Sequence, residues 1–191
     1  MRTMMEFTED RSVYYMGADH LPVLLRETVE LISPRDGDIY LDATFGAGGH
    51  TRALLEAADC RVIAVDRDPY AKIYAQNLMD KYAKRFTLVP GRFSNLDSII
   101  ADYGLRHVDG VIFDVGVSSM QIDTPRRGFS FTHDGPLDMR MNDEEGKSAA
   151  DVVNTYSEEE LAGIIFKFGD ERMSRKIAAA IVAARSREQI T

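Results

Sequence analysis

Residues 39–51 read IYLDATFGAGGHT. A short apolar run, Ile39-Tyr40-Leu41, ends in an acid, Asp42. Three glycines, Gly46, Gly48 and Gly49, follow within seven residues, and a helix-compatible run starts at Thr51-Arg52-Ala53-Leu54-Leu55. The order is strand, tight turn, helix. Glycines permit positive φ and let backbone come close to a ligand, and a new helix points N–H groups at it from its first turn. Fifteen residues past Thr51 a second apolar strand, Val62-Ile63-Ala64-Val65, ends in another acid, Asp66. A carboxylate there can accept hydrogen bonds from both hydroxyls of a ribose. The pattern predicts a nucleoside cofactor lying over the carboxyl ends of parallel strands.

On the N-terminal side, residues 20–32 (HLPVLLRETVELI) predict a short helix with Pro22 in its first turn, stopped by the turn cluster Ser33-Pro34-Arg35-Asp36-Gly37. His20 reads as a surface residue. On the C-terminal side a helix is expected over residues 49–58 and a strand over 61–66. Asp68-Pro69 opens the next helix, with Ala71, Ile73, Tyr74, Leu78 and Tyr82 at helical spacing. Residues 86–89 predict a third strand, Ser94 caps a helix to about Tyr103, and residues 108–114 form a fourth strand ending in Asp114. Strands alternating with helices in units of ~30 residues mean an α/β fold with a parallel, doubly wound sheet.

Beyond Asp114 the alternation stops. Residues 115–147 are rich in Gly, Ser, Pro and charge, yet they contain Val117, Met120, Phe129, Phe131, Leu137, Met139 and Met141. A loop this long is usually functional or disordered, and the apolar residues weaken the floppy-linker reading. Three helices are expected after it, over 149–156, 157–168 with Ser157 and Glu160 as a capping box, and 170–187. The organisation is then a mobile N-terminal arm (1–19), a cofactor-binding α/β domain with an incomplete sheet (20–114), and a loop and helical insertion that binds substrate (115–191).

A length of 191 residues suffices for one core, or one domain plus a subdomain. Hydrophobic content of 45% and charged content of 28% are ordinary for a soluble globular protein. The single cysteine, Cys60, excludes an internal disulfide and suits a reducing cytosol, so a cytoplasmic location is expected. Cys60 reads as a packing residue, not a nucleophile. No stretch approaches the ~20 apolar residues of a membrane span. The N-terminal segment carries Glu6, Glu9 and Asp10 and has no apolar core, unlike a signal or transit peptide.

The net charge of −8 argues against a general nucleic-acid binder, but the charge is uneven. Residues 1–110 balance at −4, residues 111–166 at −7, and residues 167–191 at +3. Local basic patches hold phosphates even on an acidic protein, although a solvated helix face is the commoner meaning of such a run.

A glycine-rich turn alone does not separate dinucleotide-binding from adenosyl-binding folds. In the dinucleotide fingerprint the first glycine directly follows the strand and a third comes three residues after the second. Here Asp42 sits four residues before Gly46, and position 51 is threonine. An acid closing the first strand suits a sulfonium ligand with an ammonium group better than a pyrophosphate. S-adenosylmethionine is therefore favoured over a nicotinamide cofactor. Phe93 follows the third strand, where an adenine would lie, and Asp114 borders the same crevice.

Taken together, DATFGAGGHT, AVDRDP, GRFSNL, DGVIFDVGVSSMQID, RGFSF and DGPLDMRM closely resemble the bacterial 16S ribosomal RNA cytosine-N4 methyltransferases, from His20 to Gln189. The resemblance implies a Rossmann-like class I methyltransferase sheet, of which this chain holds the first four parallel strands, with a helical insertion. It implies S-adenosylmethionine contacts at Gly48, Gly49, His50, Asp66, Phe93, Asp114 and Gln121, besides Asp42 and Gly46 from the turn itself. It also implies a cytidine in the decoding region of 16S ribosomal RNA as substrate, and the small ribosomal subunit as partner. No metal and no membrane are expected; a homodimer is left open. Members of that family continue beyond the point where this sequence stops and return to the sheet, so the chain is expected to be part of a longer protein.

The implied chemistry is an in-line displacement, in which positioning provides most of the acceleration. The N4 amine of cytosine is a poor nucleophile because its lone pair is delocalised into the ring. An acceptor on its N–H groups holds it and stabilises the positive charge that develops. Asp114, or a backbone carbonyl in residues 114–117, is the candidate acceptor, with Asp138 second. The base must be presented unstacked, and Phe129 or Phe131 can supply a stacking face or equally form the core of the loop. Arg126, Arg127, Arg140, Arg172, Arg175 and Lys176 are the expected phosphate contacts. Two rival readings remain: a nicotinamide dehydrogenase, which lacks an obvious His or Tyr relay after the fourth strand, and an RNA-binding or assembly module without turnover.

Overall fold

The apolar run at residues 62–65 lies in the interior of the sheet. Val62, Ile63, Ala64 and Val65 are each 0% exposed, because their strand is flanked on both sides and covered on both faces. The computed structural model describes residues 22–191; the expected arm and His20 lie outside the described residues. Four strands, β1 (Ile39–Asp42), β2 (Arg61–Asp66), β3 (Phe86–Pro90) and β4 (Gly110–Ile112), form one sheet in the order β3-β2-β1-β4. Every pairing is parallel. The chain steps outward from β1 to β3 and then returns to the far side of β1. That reversal creates a switch point between β1 and β4, and ligands of such sheets bind in the crevice at the carboxyl ends there.

Four helices belong to this layer: α1 (Leu25–Ile32), α2 (Gly49–Ala57), α3 (Ala71–Lys81) and α4 (Leu96–Asp102). Leu41, Ile63 and Val65 meet Ile99 of α4, with Val89, Leu96, Ile100, Leu105 and Val108 packed around them. Val62 and Ala64 alternate with these and point to the opposite face. There, Leu25 and Val29 of α1 cluster with Ala53 of α2. Cys60 is fully buried, with its thiol donating to the Leu54 carbonyl at 3.3 Å.

Several boundaries differ from the sequence expectation for identifiable reasons. β4 covers three residues, not 108–114, because among the described residues it pairs with β1 alone, and the register ends at Asp42↔Ile112. Ser94 does not cap α4; it lies in a 3-10 turn, Phe93–Asn95, that precedes the helix. Pro22 precedes α1 instead of entering its first turn.

The chain divides into two compact units, one ending at Gly116 and one spanning Val117–Thr191. The second unit contains α5 (Ser119–Ile122), α6 (Ala149–Thr155), α7 (Glu158–Gly169) and α8 (Ser174–Arg185). Ser157 and Glu160 form the capping box of α7, with Oγ of Ser157 accepting from the Glu160 amide at 3.2 Å. Asp170 does not start the last helix. It closes α7 in the left-handed region (φ 49°), so α8 begins four residues later. α7 and α8 pack together through buried Leu161 and Ala178, and Asn154 of α6 holds Ile190 by two hydrogen bonds. Among the described residues no helix is long and apolar enough to cross a membrane.

Candidate cofactor and catalytic site

Beyond β1 the chain enters the glycine-rich turn, and this turn is bonded to three strand ends. The Thr44 amide donates to Asp42 Oδ1 at 3.2 Å, a local Asx turn. The Thr51 hydroxyl, one turn into the helix, donates to Asp42 Oδ2 at 2.7 Å. The Gly46 amide donates to Asp66 Oδ2 at 2.7 Å, while the Asp114 amide donates to the Thr44 hydroxyl at 2.7 Å. The three acids and the turn form a single network. Gly48, at the N-cap of α2, has φ +81°, and a Cβ there would lie 2.6 Å from the Phe45 ring. That ring stacks on Phe86 at 5.6 Å and cannot easily yield.

The acids differ in what they offer. Asp42 is 1% exposed. Burial raises its pKa, against the bonds from Thr51 and Thr44 and the charge of His50. This corrects the expectation that Asp42 meets an ammonium group directly: its carboxylate is turned into the protein and shapes the turn. Stability tied to the protonated form is complete below about pH 4 and is lost as pH rises through the raised folded pKa. Asp42→Asn cannot ionise and should escape that loss. Urea midpoints of the variant should therefore gain on wild type as pH rises from 4; parallel curves would show that Asp42 ionises at no cost.

Asp66 is half-buried and also has a raised pKa, chiefly from burial and opposed by the amides of Asp68 and Gly46. Those amides occupy one position on each oxygen, and a carboxylate has about four. The Arg67 amide lends a further bond, which leaves about one position for a ribose hydroxyl. Phe93 is half-exposed beyond β3 and meets the edge of Phe113 at 5.8 Å. Asp114 has its backbone anchored by Thr44 and its side chain 51% exposed. Buried polar anchoring beneath and open acids above suit a ligand with a ribose and a net positive charge.

Thr44 and Phe113 are site residues that the sequence reading missed. Thr44 stands two residues after Asp42, the spacing of an Asx turn. Phe113 immediately precedes Asp114, at the end of an apolar run.

In the second unit, Gln121 of α5 is buried, and its side-chain oxygen accepts from the Ser118 amide at 3.0 Å. Asp138 is gripped by Arg140, whose Nε and Nη2 reach both its oxygens at 2.6–3.2 Å. That pairing holds its pKa below the ordinary carboxylate value. Asp138 is thereby corrected as second-choice acceptor, and Arg140 as a phosphate contact, because each neutralises the other. Arg127 is corrected as well: it is 3% exposed and donates through Nη2 to the carbonyls of Arg140 and Met141 at 3.0 and 2.8 Å. Arg126, Arg172, Arg175 and Lys176 are exposed; Phe131 is fully exposed and Phe129 half-buried.

Residues 17–191 match the model of the MraW methylase family. The chain belongs to that family. Its members are S-adenosylmethionine-dependent methylases, and the sheet with its flanking helices is the class I methyltransferase architecture. Membership sets aside the nicotinamide reading. This MraW-family chain is 54% identical over 166 residues to the ribosomal RNA small subunit methyltransferase H of Paramagnetospirillum magneticum, covering 87% of the chain and 52% of the relative. The protein of the same name from Rhodopseudomonas palustris strain CGA009 is 58% identical over 174 residues, covering 91% and 52%. The chain thus spans about half the length of the curated relatives it matches. Among solved structures, an rRNA methylase from Streptococcus thermophilus is similar at a TM-score of 0.40 and 22% identity, over 52% of this chain and 58% of that one.

Proposed function

We propose that the full-length protein transfers a methyl group from S-adenosylmethionine to the exocyclic N4 of a cytidine in 16S ribosomal RNA. The observation that carries the reading is the single hydrogen-bonded network joining the glycine turn, Asp66 and the exposed Asp114 at the switch point. Relatives named as small-subunit ribosomal RNA methyltransferases support the substrate class. Bound S-adenosylmethionine supplies an electrophilic methyl carbon on a good leaving group. Asp66 takes a ribose hydroxyl, Gly46, Gly48, Gly49 and His50 border the amino-acid end, and Phe93 packs on the adenine. Gln121 is a further contact by the family pattern. Asp114 accepts from the N4 amine and stabilises the charge that develops on it. Residues 115–191 form the substrate-binding part, with Phe131 as the exposed face on which an unstacked base can rest.

Asp66→Ala should weaken S-adenosylmethionine by about 1–3 kcal/mol, because a ribose hydroxyl loses its acceptor. Calorimetry measures this, with thermal melting alongside, since the Gly46 and Asp68 amides lose theirs too. Unchanged affinity in a folded variant would put the ribose elsewhere.

The exposed cations Arg172, Arg175 and Lys176, with Arg126, are the proposed phosphate partners. Removing any one of them should flatten the log–log dependence of RNA affinity on salt by ~0.7–0.9, since one fewer phosphate is neutralised. If paired charge reversals leave both affinity and slope unchanged, these residues are merely solvated.

A further inference from the structure

His50 is the second residue of α2, directly behind the glycine turn, and only 7% of its side chain is exposed. Its two nitrogens have unlike surroundings. Nδ1 lies 4.0 Å from Asp114 Oδ2; Nε2 is buried and has no hydrogen-bond partner among the described residues. A neutral imidazole carries one N–H, and only Nδ1 faces an acceptor, so the proton belongs there. Leaving the second nitrogen buried and unbonded costs stability, a cost that an apolar side chain of similar volume would avoid. Packing alone does not account for an imidazole here.

Among the described residues, two acids bear on it. Asp42, at the end of β1, is already held by Thr51 and Thr44. α1 contributes apolar Leu25 and Val29 to its contact with α2. Asp114 is the acid left with a free carboxylate facing Nδ1. Its backbone is fixed by Thr44, so its side-chain torsions are the freedom that remains. A separation of 4.0 Å is too long for a hydrogen bond, but contacts of this kind are commonly loose without ligands and tighten in the reacting complex.

We propose that His50 is a positioning residue for methyl transfer: its Nδ1–H draws one Asp114 oxygen inward and leaves the other aimed at the attacking amine. This rests on the reading of Asp114 as the amine's acceptor. A misplacement of about 1 Å at a reacting group can cost on the order of a hundredfold in rate.

The test is a double-mutant cycle in the full-length protein, read by single-turnover transfer at saturating cofactor and RNA, with cofactor affinity and melting measured separately. His50→Leu should slow transfer roughly ten- to a hundredfold. His50→Asn, whose amide nitrogen stands where Nδ1 was, should recover most of that loss. In an Asp114→Asn background, His50→Leu should add less than about threefold, because both act through one group. Equal slowing in both backgrounds, or His50→Asn as slow as His50→Leu, overturns the inference. If Asp114→Asn transfers at the wild-type rate, the reading of Asp114 itself fails; if it is slow while His50→Leu is not, only the positioning role fails. A second readout needs no turnover. Long-range ¹H–¹⁵N spectra of the ligand-free protein should place the imidazole proton on Nδ1, with its signal moving in Asp114→Asn. A proton found on Nε2 overturns the proposal even if the leucine variant fails to fold.

Discussion

Asp114→Asn is expected to slow the chemical step of methyl transfer roughly a hundredfold or more, the scale of losing one aligned electrostatic interaction. The substitution keeps the size and one acceptor oxygen and removes the negative charge facing the amine. The backbone bond from the Asp114 amide to Thr44 does not involve the side chain, so the position of residue 114 should survive. Because the side chain is half-exposed, folding stability should change little. RNA affinity should also hold, while some cofactor affinity is lost because the acid borders both ligands. Single-turnover transfer of a labelled methyl group isolates the step. A rate within about threefold of wild type would remove Asp114 from the chemistry and leave the backbone carbonyls of residues 114–117 as the acceptors.

The second large effect concerns folding. Arg127→Ala should destabilise the second unit by roughly 2–4 kcal/mol. Its Nη2 satisfies two part-buried carbonyls, and hydrogen bonds from a charged group are each worth about 1.5–3 kcal/mol. Arg127 also organises the loop around it: its own carbonyl accepts from the Met139 amide at 3.0 Å, and the next residue, Gly128, has φ +75°. Nearby, a Cβ on Gly135 would collide with the Pro125 carbonyl. Arg126→Ala, at the exposed neighbour, should cost at most about 1 kcal/mol. Urea unfolding of the two variants side by side makes the comparison. Equal midpoints would mean that the buried guanidinium contributes nothing net.

That pair also marks where sequence reading stops. Arg126 and Arg127 carry the same charge and the same local composition, so nothing in the string separates an exposed cation from one buried in a fold of the loop. The difference arises from residues 138–141, more than ten positions away. β2 was readable for the opposite reason: a strand buried on both faces must be apolar throughout, and its terminal acid follows in register. The acids at the ends of β1 and β2 were legible as positions. That Asp42 is sealed and Asp66 half-open was not, because it depends on which side chains the turn ties down. Asp170 misled for a local reason, since an acid before a helix reads as an N-cap although this one serves as a left-handed C-cap. Asp138 and Arg140, two residues apart, look like separate functional groups until the loop's curvature brings them face to face.

Thr44 serves two neighbourhoods through different atoms. Its backbone amide belongs to the turn that shapes the cofactor side, and its hydroxyl oxygen accepts from the amide of the residue proposed to meet the base. A ligand that stiffens one side must alter the freedom of the other, and linkage makes such an influence mutual. Cofactor and RNA should therefore bind with a common interaction free energy, each changing the other's dissociation constant by the same factor. Removing the Thr44 hydroxyl should bring that factor towards one while both ligands still bind singly.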